Sequence, residues 1–234
     1  ARFKGDLEHV TLLPGFVGLN ASGNSLANTF TGNATRNILD GRAGADLMRG
    51  LGGDDIYYVD APGDVVDEAF AGSGGVDLVY GSVSINLADT ARFKGPIEKA
   101  TLLNGLVGLS LTGNALANTL TGNNFGNTLN GGAGADLMRG MNGFDIYIVD
   151  NAGDVVDEAI AGSGGTDTVQ GSISIDLGDT VHFKGAIERI VLQQGIAGLN
   201  ATGNALANVV TGSAFGNFIN GKGGNDILTG GLGV

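Results

Sequence analysis

Aspartate recurs in this sequence at spacings that could bring pairs of carboxylates together. In the glycine-rich stretches, Asp46 and Asp64 are eighteen residues apart, and Asp136 and Asp154 have the same separation. A calcium ion takes six to eight oxygen ligands, and it commonly combines carboxylates with backbone carbonyls of glycine-rich turns. Aspartates that return at a fixed interval within such turns therefore predict calcium-binding sites.

Blocks of nine residues must position these aspartates. Gly131 opens the block GGAGADLMR, in which Asp136 takes position six and Met138 takes position eight. Neighbouring blocks keep this order, with aspartate or asparagine at position six and an apolar residue at position eight. Glycine permits the left-handed backbone of a tight turn. The residues after position six are expected to be extended, with position eight pointing inward, so two blocks form one coil.

A longer repeat of ninety residues contains these blocks. The segment Arg2-Phe3-Lys4-Gly5 recurs at Arg92 and, with histidine first, at His182. The sequence therefore predicts repeat units over residues 1–91 and 92–181, followed by a partial unit over 182–234, all in one continuous solenoid. Because ninety is five times eighteen, each full unit is expected to form five coils that bury their apolar faces against one another.

The expected fold class is all-β, namely a parallel β-roll or β-helix solenoid with glycine-rich calcium-binding turns. Residues 172–177 alternate as a strand should, and residues 97–103 and 106–112 are further candidate strands. A short helix over 154–161 is an alternative, since Asp154 could cap it and Gly162 could end it. Residues 179–185, which carry the Phe-Lys-Gly segment, are expected to form a protruding loop.

The block GGAGADLMR matches the nonapeptide pattern G-G-x-G-x-D-x-U-x, and the clearest matches lie at 41–58, 131–148 and 221–229. In this pattern the chain resembles the haemolysin-type calcium-binding repeat (RTX) family. The resemblance implies that each pair of facing turns holds one Ca²⁺, and that the protein is exported through a type I secretion channel and folds outside the cell. The implied metal ligands are the pairs Asp46 and Asp64, Asp55 and Asp77, Asp136 and Asp154, and Asp145 and Asp167, with Asp226 as half of another site.

Some blocks depart from the family pattern by carrying asparagine at position six. These asparagines are Asn28, Asn37, Asn118, Asn127, Asn208 and Asn217. An amide offers one neutral oxygen and is a weak calcium ligand, so these residues are expected to form a calcium-free hydrogen-bonded ladder. The role of four further acidic residues is undecided, because each could be an extra calcium ligand or a solvated surface charge. These residues are Asp60, Asp67, Asp150 and Asp157.

Composition narrows the possible partners. A net charge of −12 disfavours nucleic acid and anionic membrane surfaces. The absence of cysteine excludes thiolate metal sites and disulfides, and no apolar run is long enough to span a membrane. The two histidines, His9 and His182, occupy different positions of the repeat, so the segment is not expected to be an enzyme.

Three roles remain open for a secreted or cell-surface protein of this kind. The chain could be a structural or adhesive stalk, an export-and-folding module attached to a hydrolase, or a polysaccharide-binding solenoid. The third role predicts an exposed aromatic or basic stripe, for which the candidates are Phe93, Lys94, Phe183 and Lys184. Exposed solenoid ends could also associate end to end.

Overall fold

The computed structural model describes residues 8–105 and 107–233. The chain divides into two compact units, Ala1–Leu106 and Val107–Val234. Within the described residues of each unit there are strands, turns and bends but no helix. The described strands pair in parallel, as in the pairing of Thr29 with Leu47 and of Thr128 with Ile146. The prediction of an all-β parallel solenoid is confirmed, and no described helix could cross a membrane.

In the first unit, the strands fall into two parallel stacks. The order in one stack is β1-β3-β5-β7-β10, and the order in the other is β2-β4-β6-β8-β11. The strands are β1 (His9–Thr11), β2 (Asn20–Ser22), β3 (Thr29–Asn33), β4 (Ile38–Asp40), β5 (Leu47–Leu51), β6 (Ile56–Val59), β7 (Val65–Asp67), β8 (Leu78–Gly81), β9 (Ile85–Asn86), β10 (Phe93–Lys94) and β11 (Lys99–Leu102).

The second unit repeats this arrangement. One stack has the order β12-β14-β17-β20-β23-β25-β27, and the facing stacks have the orders β13-β15-β18-β22 and β21-β24-β26, with a small pair β16-β19. The strands are β12 (Ser110–Thr112), β13 (Thr119–Thr121), β14 (Thr128–Asn130), β15 (Leu137–Arg139), β16 (Asn142–Gly143), β17 (Ile146–Val149), β18 (Val155–Glu158), β19 (Gly164–Gly165), β20 (Thr168–Gly171), β21 (Ile175–Asp176), β22 (Phe183–Gly185), β23 (Arg189–Leu192), β24 (Ala201–Thr202), β25 (Val209–Thr211), β26 (Ile219–Asn220) and β27 (Ile227–Thr229).

The core of each unit consists of columns of position-eight side chains. Leu39, Tyr57 and Val79 are in register in one stack of the first unit, and all three are fully buried. Leu129 and Tyr147 are their counterparts in the second unit. Each such side chain contributes about 1.5–3 kcal/mol by burial. Since only one or two side chains per strand are buried, stacking of coils supplies most of the apolar contact.

The coils differ in length, which changes how the repeat maps onto the solenoid. In the second unit, the register partners along one stack are Thr128, Ile146, Thr168, Arg189, Val209 and Ile227, so successive coils span 18, 22, 21, 20 and 18 residues. β13 and β25 are ninety residues apart yet lie in different stacks. Ninety residues therefore make four and a half coils, and the prediction of five coils is wrong because inserted residues lengthen three of them.

Two local predictions are also wrong. The alternative of a short helix over 154–161 fails because Val155–Glu158 is a strand that pairs with Leu137 and Phe183 in its neighbours. The Phe-Lys-Gly segment belongs to a strand rather than to a protruding loop. Phe93 pairs with Val66 and is buried, and Phe183 is likewise buried, so neither phenylalanine belongs to an exposed aromatic stripe.

Candidate metal centres

The position-six side chains lie one above another along the turn edges. In the first unit, Oδ1 of Asp46 accepts the backbone N–H of Asn28 at 2.7 Å. Oδ1 of Asp64 in turn accepts the N–H of Asp46 at 3.1 Å. Each carboxylate thus holds the backbone of the preceding coil, and the structure brings the predicted pair Asp46 and Asp64 together.

The opposite edge of the first unit has a second ladder of the same kind. Oδ1 of Asp55 accepts the N–H of Asn37 at 2.6 Å, and Oδ1 of Asp77 accepts the N–H of Asp55 at 2.8 Å. The N–H of Asp77 then donates to Oε2 of Glu98 at 2.9 Å. The predicted pair Asp55 and Asp77 is therefore also adjacent, despite the enlarged turn between them.

The second unit contains equivalent pairs. Asp136 donates its N–H to Oδ1 of Asp154 at 3.1 Å, and Asp145 donates to Oδ1 of Asp167 at 2.9 Å. Asp226 accepts the N–H of Asn208 at 2.9 Å, so its neighbour in the ladder is an asparagine. The structure brings together all four predicted aspartate pairs and gives Asp226 no aspartate partner among the described residues.

The second oxygen of several aspartates has no partner. Oδ2 is buried and accepts no hydrogen bond from any described residue in Asp46, Asp55, Asp136 and Asp145. Buried polar atoms are almost always hydrogen-bonded, so four such oxygens at equivalent turns need an explanation. A cation at these turns would supply the missing partner, and hard carboxylate oxygens suit Ca²⁺.

The backbone at position two explains why these oxygens lack donors. Arg42 and Leu51 have φ angles of 59° and 71°, and Met141 in the second unit has a φ angle of 77°. In this left-handed conformation the N–H turns away from position six; that of Arg42 donates to Oδ1 of Asp40 at 3.1 Å. We call this arrangement the open turn. Its cost of about 1–2 kcal/mol for a residue other than glycine shows that the conformation is imposed by its surroundings.

Asparagine turns have the opposite geometry. The N–H of Asn24, at position two, donates to Oδ1 of Asn28 at 3.0 Å. The N–H of Asn33 donates to Oδ1 of Asn37 at 2.8 Å, and Nδ2 of Asn37 reaches the carbonyl of Leu19 at 2.8 Å. We call this arrangement the closed turn. Because the amide supplies both acceptor and donor, the geometry supports the interpretation of a ladder without calcium.

The turns of Asp64 and Asp154 have aspartate at position six, as open turns do, but its oxygens accept backbone hydrogen bonds, as in closed turns. Oδ2 of Asp64 accepts the N–H groups of Asp60 and Ala61 at 3.0 and 2.9 Å. Oδ2 of Asp154 accepts two equivalent N–H groups at 3.0 and 3.1 Å. Each predicted pair on this edge therefore combines one aspartate with an unpartnered oxygen and one whose oxygens both accept backbone hydrogen bonds.

Burial and mutual repulsion disfavour the charged form of these carboxylates when no cation is present. Burial, with a contribution from the charge of Asp64, raises the pKa of Asp46 to about 6. Burial, with a contribution from the charge of Glu68, raises the pKa of both Asp55 and Asp77 to about 7. In the second unit, the pKa values of Asp136 and Asp145 are raised by burial to about 7.

Glu68 is a candidate ligand that the nine-residue pattern did not predict. It begins the enlarged turn 68–77 and occupies the place at which other blocks have glycine. The ligand oxygens of Asp55, Glu68 and Asp77 all lie within 4.8 Å of one another, and all three residues are buried. The available signal was an acidic residue at a glycine position, repeated ninety residues later as Glu158.

The four undecided acidic residues divide into two kinds. Asp67 forms an ion pair with Arg49 at 3.0 Å, and Asp157 pairs with Arg139 at 3.3 Å. The side chains of Asp60 and Asp150 are exposed. The structure thus gives Asp67 and Asp157 partners of their own, which weighs against a ligand role for them.

Comparison with known proteins finds a family match in three segments of the chain. The profile of the RTX calcium-binding nonapeptide repeat family, which spans four copies of the repeat, matches residues 22–57, 112–147 and 202–234. The matched segments include both open and closed turns. No curated protein and no solved structure matches the chain significantly.

Proposed function

Because the chain contains RTX calcium-binding nonapeptide repeats in three segments and belongs to that repeat family, we propose that it is a calcium-binding segment of a secreted or cell-surface protein. In this proposal the open turns take up Ca²⁺ outside the cell, and ion binding completes the fold. The observation that carries the proposal is the set of buried, unpartnered Oδ2 atoms at Asp46, Asp55, Asp136 and Asp145.

The residues present fit calcium better than they fit a softer metal. The described open turns offer carboxylate oxygens, and the chain contains no cysteine. Bound calcium would supply positive charge and six to eight coordination positions for oxygen. Asp46 with Asp64, and Asp136 with Asp154, would hold one ion each on one edge, while Asp55 with Asp77, and Asp145 with Asp167, would do so on the other. Asp226 would contribute half of a fifth site.

Calcium concentration would then control folding. Without an ion, two carboxylates about 5 Å apart repel by roughly 3 kcal/mol at an effective dielectric constant of about 20. This repulsion opposes the stacking of successive open turns. Low cytosolic calcium would keep these coils loose before export, and extracellular calcium would drive them to stack. A structural or adhesive stalk, without catalysis in this segment, is the role that a tandem array of such coils serves best.

Isothermal titration calorimetry of the whole chain, with far-UV circular dichroism recorded in parallel, tests this function. We expect about four ions to bind saturably and the β signal to increase, with a remaining signal in chelator from the closed turns. Magnesium at equal concentration is the matched control, because it demands a stricter octahedral geometry and gives up its water reluctantly. Identical spectra in chelator and in calcium, with no heat of binding, would refute the proposal.

A further inference from the structure

We infer that the enlarged turns 68–77 and 158–167 form a second class of calcium site, in which a buried glutamate joins the two aspartates. This inference rests on the proposed function and adds ligands that the nonapeptide pattern does not contain. The residues involved are Asp55, Glu68 and Asp77 in the first unit and Asp145, Glu158 and Asp167 in the second.

Unpartnered oxygens converge at the first of these turns. Asp55 and Glu68 are 0% and 2% exposed. Oδ2 of Asp55 and Oε2 of Glu68 are buried and accept no hydrogen bond of normal geometry from the described residues, and the buried hydroxyl of Ser73 is near enough to Glu68 to act on the pKa of its carboxyl group. Two carboxylate oxygens that lack hydrogen-bond donors, in a cluster of three carboxylates whose ligand oxygens lie within 4.8 Å of one another, fit a cation ligated by oxygen.

The second unit repeats the same set of atoms. Oδ2 of Asp145 and Oε2 of Glu158 are likewise buried and accept no hydrogen bond of normal geometry within the described part of the chain, and the hydroxyl of Ser163 is buried near Glu158. The second unit thus presents the same residue types, although, among the described residues, only in the first do the ligand oxygens of all three carboxylates lie within 4.8 Å of one another.

A buried tyrosine holds each glutamate in place. The hydroxyl of Tyr57 donates to Oε1 of Glu68 and accepts the N–H of Gly50 at 2.8 Å. Tyr147 makes the same contacts with Glu158 and with Gly140, the latter at 2.7 Å. With Oε1 fixed in this way, Oε2 is left as the free acceptor of the glutamate.

Glycine at position one leaves the room that an ion requires. A Cβ atom at Gly50 would overlap both Oδ2 of Asp55 and the hydroxyl of Tyr57. In the next coil, Glu68 starts the turn, and four extra residues separate it from Asp77 relative to an ordinary block. The insertion therefore coincides with the one position at which a carboxylate replaces glycine.

A third carboxylate should make these sites tighter than the pair formed by Asp46 and Asp64. Calcium affinity in proteins is tuned by the number of charged ligands and by the rigidity of the site. The sites at the enlarged turns would therefore fill first in a titration, and the two-aspartate sites would fill at higher calcium concentration.

The test compares the full chain with the double variant Glu68→Gln/Glu158→Gln. The amide keeps the shape of the side chain and an oxygen for the tyrosine hydroxyl, but it removes one charge from each cluster. We expect calorimetry to show that the two tightest sites weaken by at least about tenfold. The control variant Asp46→Asn/Asp136→Asn should instead remove the weaker sites and leave the tightest ones unchanged.

Thermal unfolding separates a ligand role from a packing role. The glutamine variant should raise Tm in chelator, because it removes repulsion within each cluster, and lower Tm in saturating calcium. A loss of Tm in both conditions would mean that the glutamates only pack, and unchanged affinity at every site would equally overturn the inference while leaving the proposed function intact. Absence of calcium binding by the unmodified chain would overturn both.

Terbium luminescence supplies an independent measurement. Tyr147 is the only tyrosine in the sequence from residue 107 onward, and its hydroxyl contacts Glu158. Terbium bound at the second cluster should therefore show tyrosine-sensitised emission that Glu158→Gln reduces and that calcium competes away. Emission unaffected by Glu158→Gln would contradict the assigned ligand.

Discussion

Open and closed turns stand side by side in one solenoid and differ in how they satisfy their own polar atoms. In the closed turn that ends at Asn28, the N–H of Asn24 lies 3.0 Å from the side-chain oxygen. In the open turn that ends at Asp46, position two is left-handed at Arg42 and Oδ2 has no donor among the described residues. The two turns join strands that pair in register, β2 with β4 and β3 with β5, so the comparison isolates the turn chemistry. In closed turns the position-six side chain is hydrogen-bonded within the chain, whereas in open turns Oδ2 needs a partner, such as a cation, from outside the chain.

The largest effect should follow from chelation. At calcium concentrations about ten times Kd, each site contributes roughly 1.4 kcal/mol, so four sites contribute about 6 kcal/mol. Urea unfolding followed by circular dichroism, with and without chelator, measures this difference. Replacing calcium by magnesium should restore only a minor part of it. A difference below about 1 kcal/mol would show that open turns are as self-sufficient as closed ones.

The pH dependence in chelator should have an unusual sign. The folded pKa of Asp55, Asp77 and Asp145 is raised to about 7, so their contribution to stability is complete below the ordinary carboxyl pKa of about 4. That contribution is lost as pH rises through about 7, because the charged form is disfavoured in the folded state. We expect Tm in chelator to fall by about 5 °C or more between pH 5 and pH 8.

Calcium should reverse this trend. Ion binding requires deprotonated carboxylates, so calcium affinity and Tm in saturating calcium should both rise between pH 5 and pH 8. Thermal unfolding over this range in both conditions gives two curves of opposite slope. Parallel curves would contradict the assignment of the buried aspartates as ligands.

Converting an open turn into a closed one should have an intermediate effect. The double variant Arg42→Asn/Asp46→Asn places asparagine at positions two and six, as in the turn of Asn24 and Asn28. We expect one fewer bound ion and an increase of about 1–2 kcal/mol in stability in chelator, since a buried unpartnered oxygen is removed. Calorimetry and urea unfolding check the two parts. The single change Arg42→Asn is the control and should leave the ion in place.

Relief of backbone strain should have the smallest effect. Leu51 occupies position two of an open turn with a φ angle of 71°, and Leu51→Gly removes the penalty on its side chain. We expect stabilisation of about 0.5–1 kcal/mol both in calcium and in chelator. The matched change Thr29→Gly, within a strand, should destabilise instead. A stabilisation confined to calcium would indicate that the left-handed conformation depends on the ion.

Sequence periodicity predicted the parts of the structure that each nine-residue block determines locally. Position eight is the buried column, as at Leu129, and position six forms the ladder, as at Asp136. Both follow from a turn and strand that repeat without reference to distant residues. The four aspartate pairs were predictable for the same reason, and their role as ligands remains a proposal.

The residues that break the period were not predictable in this way. Glu68 lies outside the nonapeptide, and only the three-dimensional stacking shows that its carboxylate meets Asp55 and Asp77. Phe183 was expected in a loop, but the chain returns it to the core beside Val156, from which it is 27 residues distant in sequence. Insertions change which strands pair between successive coils. The spacing of residues within one nine-residue block carries no information about that pairing.

Hydrogen–deuterium exchange of the whole chain, in calcium and in chelator, tests the central difference between open and closed turns most directly. Removal of calcium should raise exchange at least about tenfold in residues 137–149, which follow open turns, and much less in residues 119–121, which follow a closed turn. An equal change in both segments, or no change in either, would contradict the account.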